Sequence, residues 1–416
     1  MAEYNFIRQK KYKCPDHGSV HGRHPLIQKT EKGYIMNSEH IHVIGAGPAG
    51  LVAAITLAKA GYPVTVYEMN QDVGQRFNGD YQGIENWSTE EDTCKFLESI
   101  GVETNFRFEP YADGDFFNPS GEKYKFNMSR PLFYLVERGT SEWSLDQGLK
   151  RQALQAGVQF EWGRRMTHAP SGKVIISTGP KAADAVARGI VFSTTHENYY
   201  AAFLDDEIAP QGYAYLLVND GKATFATCLF EKFSEAFTYF DAALERMQEH
   251  VDIDIIDSKS FGGYINFFLN RPLMKDHRIY YVGENAGFQD ALFGFGMRYA
   301  MHSGYLAAQS IIEGLSYPDL CKEYIIPKME TSLANRWLFT RLEDLGYTIM
   351  LDRLAGKNDI IPTLQTQYNS SWYKKMVLPI AKRAFRTRLE DKQCMHENCS
   401  CVWCKHGEHA YGEVEC

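Results

Sequence analysis

Apolar positions along the chain fall into three patterns. Short, largely apolar runs end in glycine: Ile41-His42-Val43-Ile44 before Gly45, Val174-Ile175-Ile176 before Ser177-Thr178-Gly179, and Ile279-Tyr280-Tyr281-Val282 before Gly283. Such runs read as buried strands. Ala49 to Ala60 is rich in Ala and Leu, lacks proline and stops at Gly61, so it predicts a helix. Pro63 to Glu68 then reads as a second strand. Strand, turn, helix and strand in that order start a parallel sheet. Residues 143–157 and 297–313 also read as helices. The third pattern is alternation: Tyr213–Val218 and Ala223–Phe230 flank Asn219-Asp220-Gly221, which has the chemistry of a hairpin turn.

Elsewhere the pattern weakens. Residues 71–135 are rich in Gly, Asn, Asp and aromatics and are expected to be irregular. From 316 to about 390 the pattern is mostly helical, with breaks expected at Pro327, Gly346, Gly356 and Pro362. Residues 1–38 are polar, carry Cys14, His17, His21 and His24, and read as an extension.

Composition narrows the function classes. A chain of 416 residues suggests two or three domains. Its 44 Lys and Arg against 52 Asp and Glu give a net charge of -8, which argues against nucleic acid as a partner. Mean hydropathy is -0.37 and no run of about 18 apolar residues could span a bilayer. With 25 Tyr, 25 Phe and 6 Trp there are rings enough to line a pocket for a flat or greasy ligand. Five of the nine cysteines crowd the last stretch, and the N-terminus lacks the order of a signal peptide. The expectation is a cytoplasmic protein with reduced thiols.

Gly45-Ala46-Gly47-Pro48-Ala49-Gly50 is G-x-G-x-x-G, a weak signal alone. Here it follows a strand, opens a helix and precedes Glu68 at the end of the next strand, which is the dinucleotide-binding arrangement. Gly45 permits the tight turn, Gly47 admits a pyrophosphate, and Gly50 lets helix and strand pack closely. Pro48 and Ala49 stand at the helix start, where unpaired N–H groups and the helix dipole favour an anion. Glu68 would accept hydrogen bonds from an adenosine ribose and repel a 2′-phosphate.

A second glycine-rich segment runs Tyr281-Val282-Gly283-Glu284-Asn285-Ala286-Gly287-Phe288, then Gly294-Phe295-Gly296-Met297-Arg298, then Ser303-Gly304. With these segments the chain resembles glutathione-reductase-type flavoproteins of p-hydroxybenzoate-hydroxylase-like arrangement. Within them it is similar to the geranylgeranyl reductase family over residues 40–315. Pro210-Gln211-Gly212-Tyr213-Ala214-Tyr215 is similar to that family's Pro-x-Gly-Tyr-x-Trp strand, and Arg138 with Leu149 and Gly157 to its Arg…Leu…Gly helix entry. The resemblance implies FAD. Glu284 would then hold the ribityl chain, and Gly294, Gly296 and Met297 would face the isoalloxazine. Gly283, Gly287 and Arg138 would also be cofactor-binding, and Arg76 is a candidate to balance the diphosphate. The chain departs from the pattern in three places: Glu284 stands where Asp is usual, Asn78-Gly79 where Cys-Gly often stands, and Ser177-Thr178-Gly179-Pro180 where hydroxylases carry Asp-Gly.

The fold class implied is α/β. A Rossmann-like FAD-binding domain (39–110, 145–190, 275–315) carries an inserted, mostly antiparallel substrate domain (111–144, 191–274). A helical C-terminal region (316–390) and a Cys-rich tail (391–416) follow. The leading reaction is hydride transfer from reduced flavin to a carbon–carbon double bond of a small apolar, isoprenoid-like substrate. Tyr213 or Tyr81 is the candidate proton donor. Monooxygenation or dehydrogenation on the same fold is one alternative, and a flavin/metal redox relay or sensor is another. With no second G-x-G-x-x-G, electrons are expected from a donor protein or reduced carrier.

Cys394, Cys399, Cys401 and Cys404 offer four thiols within a short span, a ligand set for zinc or for an iron–sulfur cluster. Finally, residues 372–388 carry six cations and no acid, interleaved with apolar residues. That stretch fits peripheral contact with an anionic membrane, docking of an acidic carrier, or a helix packed on the core with a solvated basic edge.

Overall fold

The structure, a computed structural model, describes residues 39–180, 182–267, 272–385 and 389–390. The four tail cysteines, Cys14 and His17 lie outside them. Ten helices are described: α1 (Pro48–Lys59), α2 (Thr93–Ser99), α3 (Leu145–Gln155), α4 (Ala236–His250), α5 (Met297–Glu313), α6 (Tyr317–Tyr324), α7 (Ile326–Phe339), α8 (Glu343–Ala355), α9 (Ile361–Gln367) and α10 (Trp372–Ala384).

The first core is a six-stranded sheet with spatial order Met274–Lys275, Ile279–Tyr281, Lys173–Ile176, Ile41–Ile44, Val64–Tyr67 and Gln159–Glu161. All its neighbours pair in parallel except the edge strand Met274–Lys275. Ile41–Ile44 lies at its centre, with Ile41 opposite Val64 and Lys173. The helix that follows it, α1, buries nearly every residue from Ala49 to Leu57, so its Ala-rich composition permits close packing on all sides. Helix α5 crosses α1 where Gly304 meets Ala49: a Cβ on Gly304 would stand 2.0 Å from the Ala49 carbonyl oxygen. That contact accounts for the Ser303-Gly304 pair.

The second core lies on a seven-stranded sheet ordered Ile256–Ile265, Ala185–Ser193, Lys222–Leu229, Tyr213–Asn219, Tyr199–Phe203, Asp115–Phe117 and Lys123–Tyr124. It is antiparallel except where Asp115–Phe117 joins Tyr199–Phe203. The expected hairpin forms, with Asp220 and Gly221 both at positive φ (53° and 74°).

Three expectations need correction. Residues 71–135 are not irregular: Tyr81–Glu85, Glu109–Tyr111 and Phe133–Glu137 make a three-stranded sheet, and α2 lies among them. Tyr81 pairs with Glu137, so this sheet is built from distant segments and leaves no local period. The expected domain break after residue 190 falls inside the strand Ala185–Ser193, which is hydrogen-bonded on both sides within the seven-stranded sheet. Gly346 does not break a helix. It sits within α8, where a Cβ would come 2.8 Å from that of Leu342.

Candidate active site

Three strand ends of the six-stranded sheet converge on one opening. Gly45, at φ +99°, turns the chain after Ile44, and a Cβ there would stand 2.5 Å from the Ser177 carbonyl oxygen. Gly50 could carry no side chain either, since a Cβ would approach the Gly45 carbonyl to 2.3 Å; its N–H donates to Ser177 Oγ at 2.9 Å. Ser177 thus braces the glycine turn, a role its place after Ile176 did not suggest. Gly47 differs: a Cβ there would meet nothing nearer than 3.8 Å. Its bareness keeps room beside the start of α1 rather than relieving a protein contact. Gly45, Gly47, Pro48 and Ala49 all line the opening, as does Glu68. Glu68 Oε2 accepts from Ala46 N at 2.9 Å, and Oε1 accepts from Asn70 N at 3.0 Å and Asn70 Nδ2 at 2.8 Å. The carboxylate is therefore held in a fixed pose at the rim, with lone pairs left for a ligand hydroxyl.

On the other side, Gly283 (φ +61°) donates its N–H to Ser303 Oγ at 2.8 Å, and a Cβ would press on Ala49 at 3.0 Å. Gly283 and Glu284 line the cavity. Gly287 ends the turn in the left-handed region and does not line the cavity; its position shapes the loop. Burial pushes the Glu284 carboxyl up to about 7, against the cations Arg76 and Arg138, which pull it down. Arg76 and Arg138 both line the cavity. Arg138 is gripped from behind by Asp146, with Nε and Nη2 each donating at 2.9 Å, and its guanidinium lies 4.0 Å from the centre of the Phe77 ring. Asp146, eight residues along, was not foreseen from the sequence.

The segment Asp290–Met297 forms the next wall. Gly294, Gly296 and Met297 line the cavity, and α5 starts at Met297, so the positive end of its dipole faces this region. The loop is strongly held. Asp290 accepts from Phe293 N at 2.6 Å and from the Tyr368 hydroxyl at 3.0 Å. The buried guanidinium of Arg336 donates to the Leu292 carbonyl at 2.9 Å and to the Gln211 carbonyl. Arg336 thereby ties the Pro210-Gln211-Gly212 turn to the loop. No spacing in the sequence announces Asp290, Arg336 or Tyr368, because three separate elements supply them.

Beyond the loop the cavity continues as a chamber lined by Trp87, Phe133, Tyr200, Leu217, Phe261 and Ile265, with Met350, Leu351 and Leu354 of α8 in its wall. The whole space, dinucleotide end included, is one cavity of about 1220 Å³. Tyr213 and Tyr215 line it, and the Tyr213 hydroxyl donates to the Phe293 carbonyl. Burial raises both phenols well above their ordinary value, so they stay protonated. Cys228, beside Tyr213, is pushed up to about 12 by burial and is held as a thiol.

Tyr81 is a correction. It is buried and does not line the cavity; its hydroxyl donates to the Asn219 carbonyl at 3.0 Å, in the hairpin of the seven-stranded sheet. Its neighbours Gln82, Gly83 and Trp87 do line the cavity. Among the described residues no group of three or more His, Cys, Asp and Glu is arranged to hold a metal. The four-thiol set at Cys394–Cys404 lies outside those residues. Among them, too, no helix is long and apolar enough to cross a membrane.

Comparison with known proteins agrees with this geometry. Residues 43–82 match the model of the NAD(P)-binding Rossmann-like domain. Over 395 residues the chain is 22% identical to the digeranylgeranylglycerophospholipid reductase of Methanococcus vannielii, covering 83% of this chain and 96% of that protein. Among solved structures it is similar to a geranylgeranyl bacteriochlorophyll reductase-like protein from Thermoplasma acidophilum, with a TM-score of 0.63 and 18% identity over 84% of this chain and 97% of that one. The myxobacterial chondrochloren halogenase, an FAD-dependent halogenase, follows with a TM-score of 0.56 and 15% identity over 83% and 97% of the two chains. The chain has the Rossmann-like FAD-binding fold of these flavoproteins, with mixed α/β sheets and a helical C-terminal region.

Proposed function

We propose that this protein is an FAD-dependent oxidoreductase that reduces carbon–carbon double bonds of an apolar, isoprenoid-like substrate. One observation carries the reading: the dinucleotide turn at Gly45 and a chamber lined by apolar side chains belong to a single cavity of about 1220 Å³. The digeranylgeranylglycerophospholipid reductase likeness over most of the chain supports the same substrate class.

The residues present fit FAD. Gly45, Gly47 and the start of α1 would receive the pyrophosphate, and Glu68 the adenosine ribose. Arg76 and Glu284 would lie along the middle of the cofactor, and Gly294, Gly296 and Met297 at its ring. When bound and reduced, FAD supplies a hydride. Reduction of an alkene there would place that hydride on one carbon and would call for a proton at the other. Tyr213 is the proton donor in this reading: burial keeps its phenol protonated, and the Phe293 carbonyl holds the hydroxyl at the cavity wall. The chamber's rings and aliphatic side chains exclude water and align the chain. The positive end of the α5 dipole favours negative charge near Met297. The electrons come from a donor protein or reduced carrier.

The test is anaerobic. Photoreduced protein is mixed with a geranylgeranyl lipid, and both the flavin spectrum and the product mass are followed. Reoxidation with a mass gain of two hydrogens per double bond is expected. Reoxidation only by oxygen, or an oxygenated product, overturns the reading.

A further inference from the structure

Helix α10 presents apolar side chains to both of its surroundings. Its inner side is fixed to the chamber wall. Lys374 is buried and donates to the carbonyls of Gln367 and Asn369, at and just past the end of α9, and the neighbouring residues Ile360 and Leu364 line the chamber. Ala381 is buried in a cluster with Leu333 of α7. The outer side is a row at four-residue spacing: Trp372 is 74% exposed, Met376 67% and Ile380 51%, with Tyr373 beside them. Large residues in such a row are costly to leave in water, and a contiguous apolar face of this kind marks an interaction site. Lys375 and Arg383 border the row without an ion pair among the described residues, Lys382 reaches Glu330 at 2.7 Å, and the helix contains no acid. Helix α8, which walls the chamber with Met350, Leu351 and Leu354, likewise exposes Leu345 and Ile349, and Leu342 just before it is exposed as well.

These observations bear on the three readings that residues 372–388 allowed. The helix is packed on the core through Lys374 and Ala381, and that packing leaves the row of Trp372, Met376 and Ile380 uncovered. An acidic protein carrier would be met by the cations alone and would leave Trp372, Met376 and Ile380 wet. A face that is apolar at its centre and cationic at its edge, on a helix that itself carries no acid, complements an anionic lipid bilayer, whose acyl boundary takes the rings and whose headgroups take the cations.

We infer that the outer face of α10 seats the protein on an anionic membrane, next to the helices that wall the apolar chamber. The inference rests on the proposed apolar substrate only for its purpose, since such a substrate resides in the bilayer. Its test does not depend on turnover.

The holoprotein is sedimented with vesicles of phosphatidylcholine alone and of phosphatidylcholine with about a quarter phosphatidylserine. Binding to the anionic vesicles is expected, with partitioning at least about tenfold weaker on neutral vesicles or with the triple variant W372E/M376E/I380E. The variant should keep its FAD, because none of the three positions lines the cavity. A second measurement guards against misfolding of the variant: brominated lipid should quench wild-type tryptophan fluorescence, and W372F should lose most of that quenching. Equal partitioning of wild type and triple variant overturns the inference. So do failure of the wild type to bind anionic vesicles, and self-association that the triple variant abolishes, which would make the face a contact between copies. If the double-bond chemistry fails while vesicle binding holds, the function is at fault and the membrane face stands.

Discussion

Replacing Asp146 by alanine tests how the cavity wall is held. The Arg138–Asp146 pair is nearly closed to solvent, with side-chain exposures of 7% and 2%. Asp146 accepts three hydrogen bonds, two from Arg138 at 2.9 Å and one from Gly139 N at 3.0 Å. Deleting one partner of a buried pair costs about 3–5 kcal/mol, because the other charge is left without compensation. Arg138 is not wholly abandoned: Gln82 Oε1 lies 3.3 Å away and the Phe77 ring stacks under it. The low end, about 3 kcal/mol, is therefore expected. Removing both charges together (R138M/D146L) should cost only about 1–2 kcal/mol, for the Gly139 N–H left unpaired. The single variants R138M and D146L close a cycle with that double, and its coupling should exceed about 2 kcal/mol. Urea unfolding of the apoprotein, followed by tryptophan fluorescence, gives the stabilities, and quenching of flavin fluorescence gives FAD affinity. Asp146→Ala should also weaken FAD binding, since Arg138 lines the cavity. A single-variant cost below about 1 kcal/mol, or additive costs, would refute the reasoning.

Four further outcomes follow from the geometry. Gly304→Val should separate α1 from α5, because even a Cβ there comes within 2.0 Å of the Ala49 carbonyl; loss of FAD from purified protein is the readout, and full FAD content would count against it. Tyr213→Phe should keep FAD but slow product formation by about a hundredfold or more, as removal of a proton donor does. Tyr81→Phe, whose hydroxyl serves the Asn219 carbonyl, should leave the rate unchanged and cost about 1 kcal/mol in unfolding experiments; a rate loss equal to that of Tyr213→Phe would reverse the two assignments. Glu85 is buried and its carboxyl is pushed up to about 7 by desolvation from an ordinary 4.5. A raised carboxyl contributes stability that is full below about pH 4.5 and lost as pH climbs through about 7, so Glu85→Gln should flatten the fall across that window by about 3 kcal/mol; parallel curves would show that Glu85 is not the group titrating.

Strands, helices and turns were legible where their causes are local. The Gly45–Gly50 turn needs glycine because a side chain would strike backbone within the turn itself or on the adjoining strand. The Asp220-Gly221 hairpin needs residues that tolerate positive φ. Pro327 and Pro362 lie in first turns, where a missing N–H costs nothing, so they mark helix starts. The three-stranded sheet escaped notice because Tyr81 and Glu137 stand far apart in the chain, and aromatics spaced for distant partners show no period.

By itself the sequence determined where a dinucleotide would be received, at the start of α1, since glycine spacing, helix start and acidic strand end are steric and electrostatic facts within a few residues. Only the tertiary structure decided what faces it. Tyr213 turns its hydroxyl to the cavity wall while Tyr81, equally aromatic and more deeply buried, turns away to a hairpin. The chamber gathers Trp87, Leu217, Ile265 and Leu354 from four separate elements, and Glu284 is pushed up to about 7 by everything that excludes water around it. Desolvation and enclosure are properties of surroundings in space, and neighbours along the chain do not encode them one residue at a time.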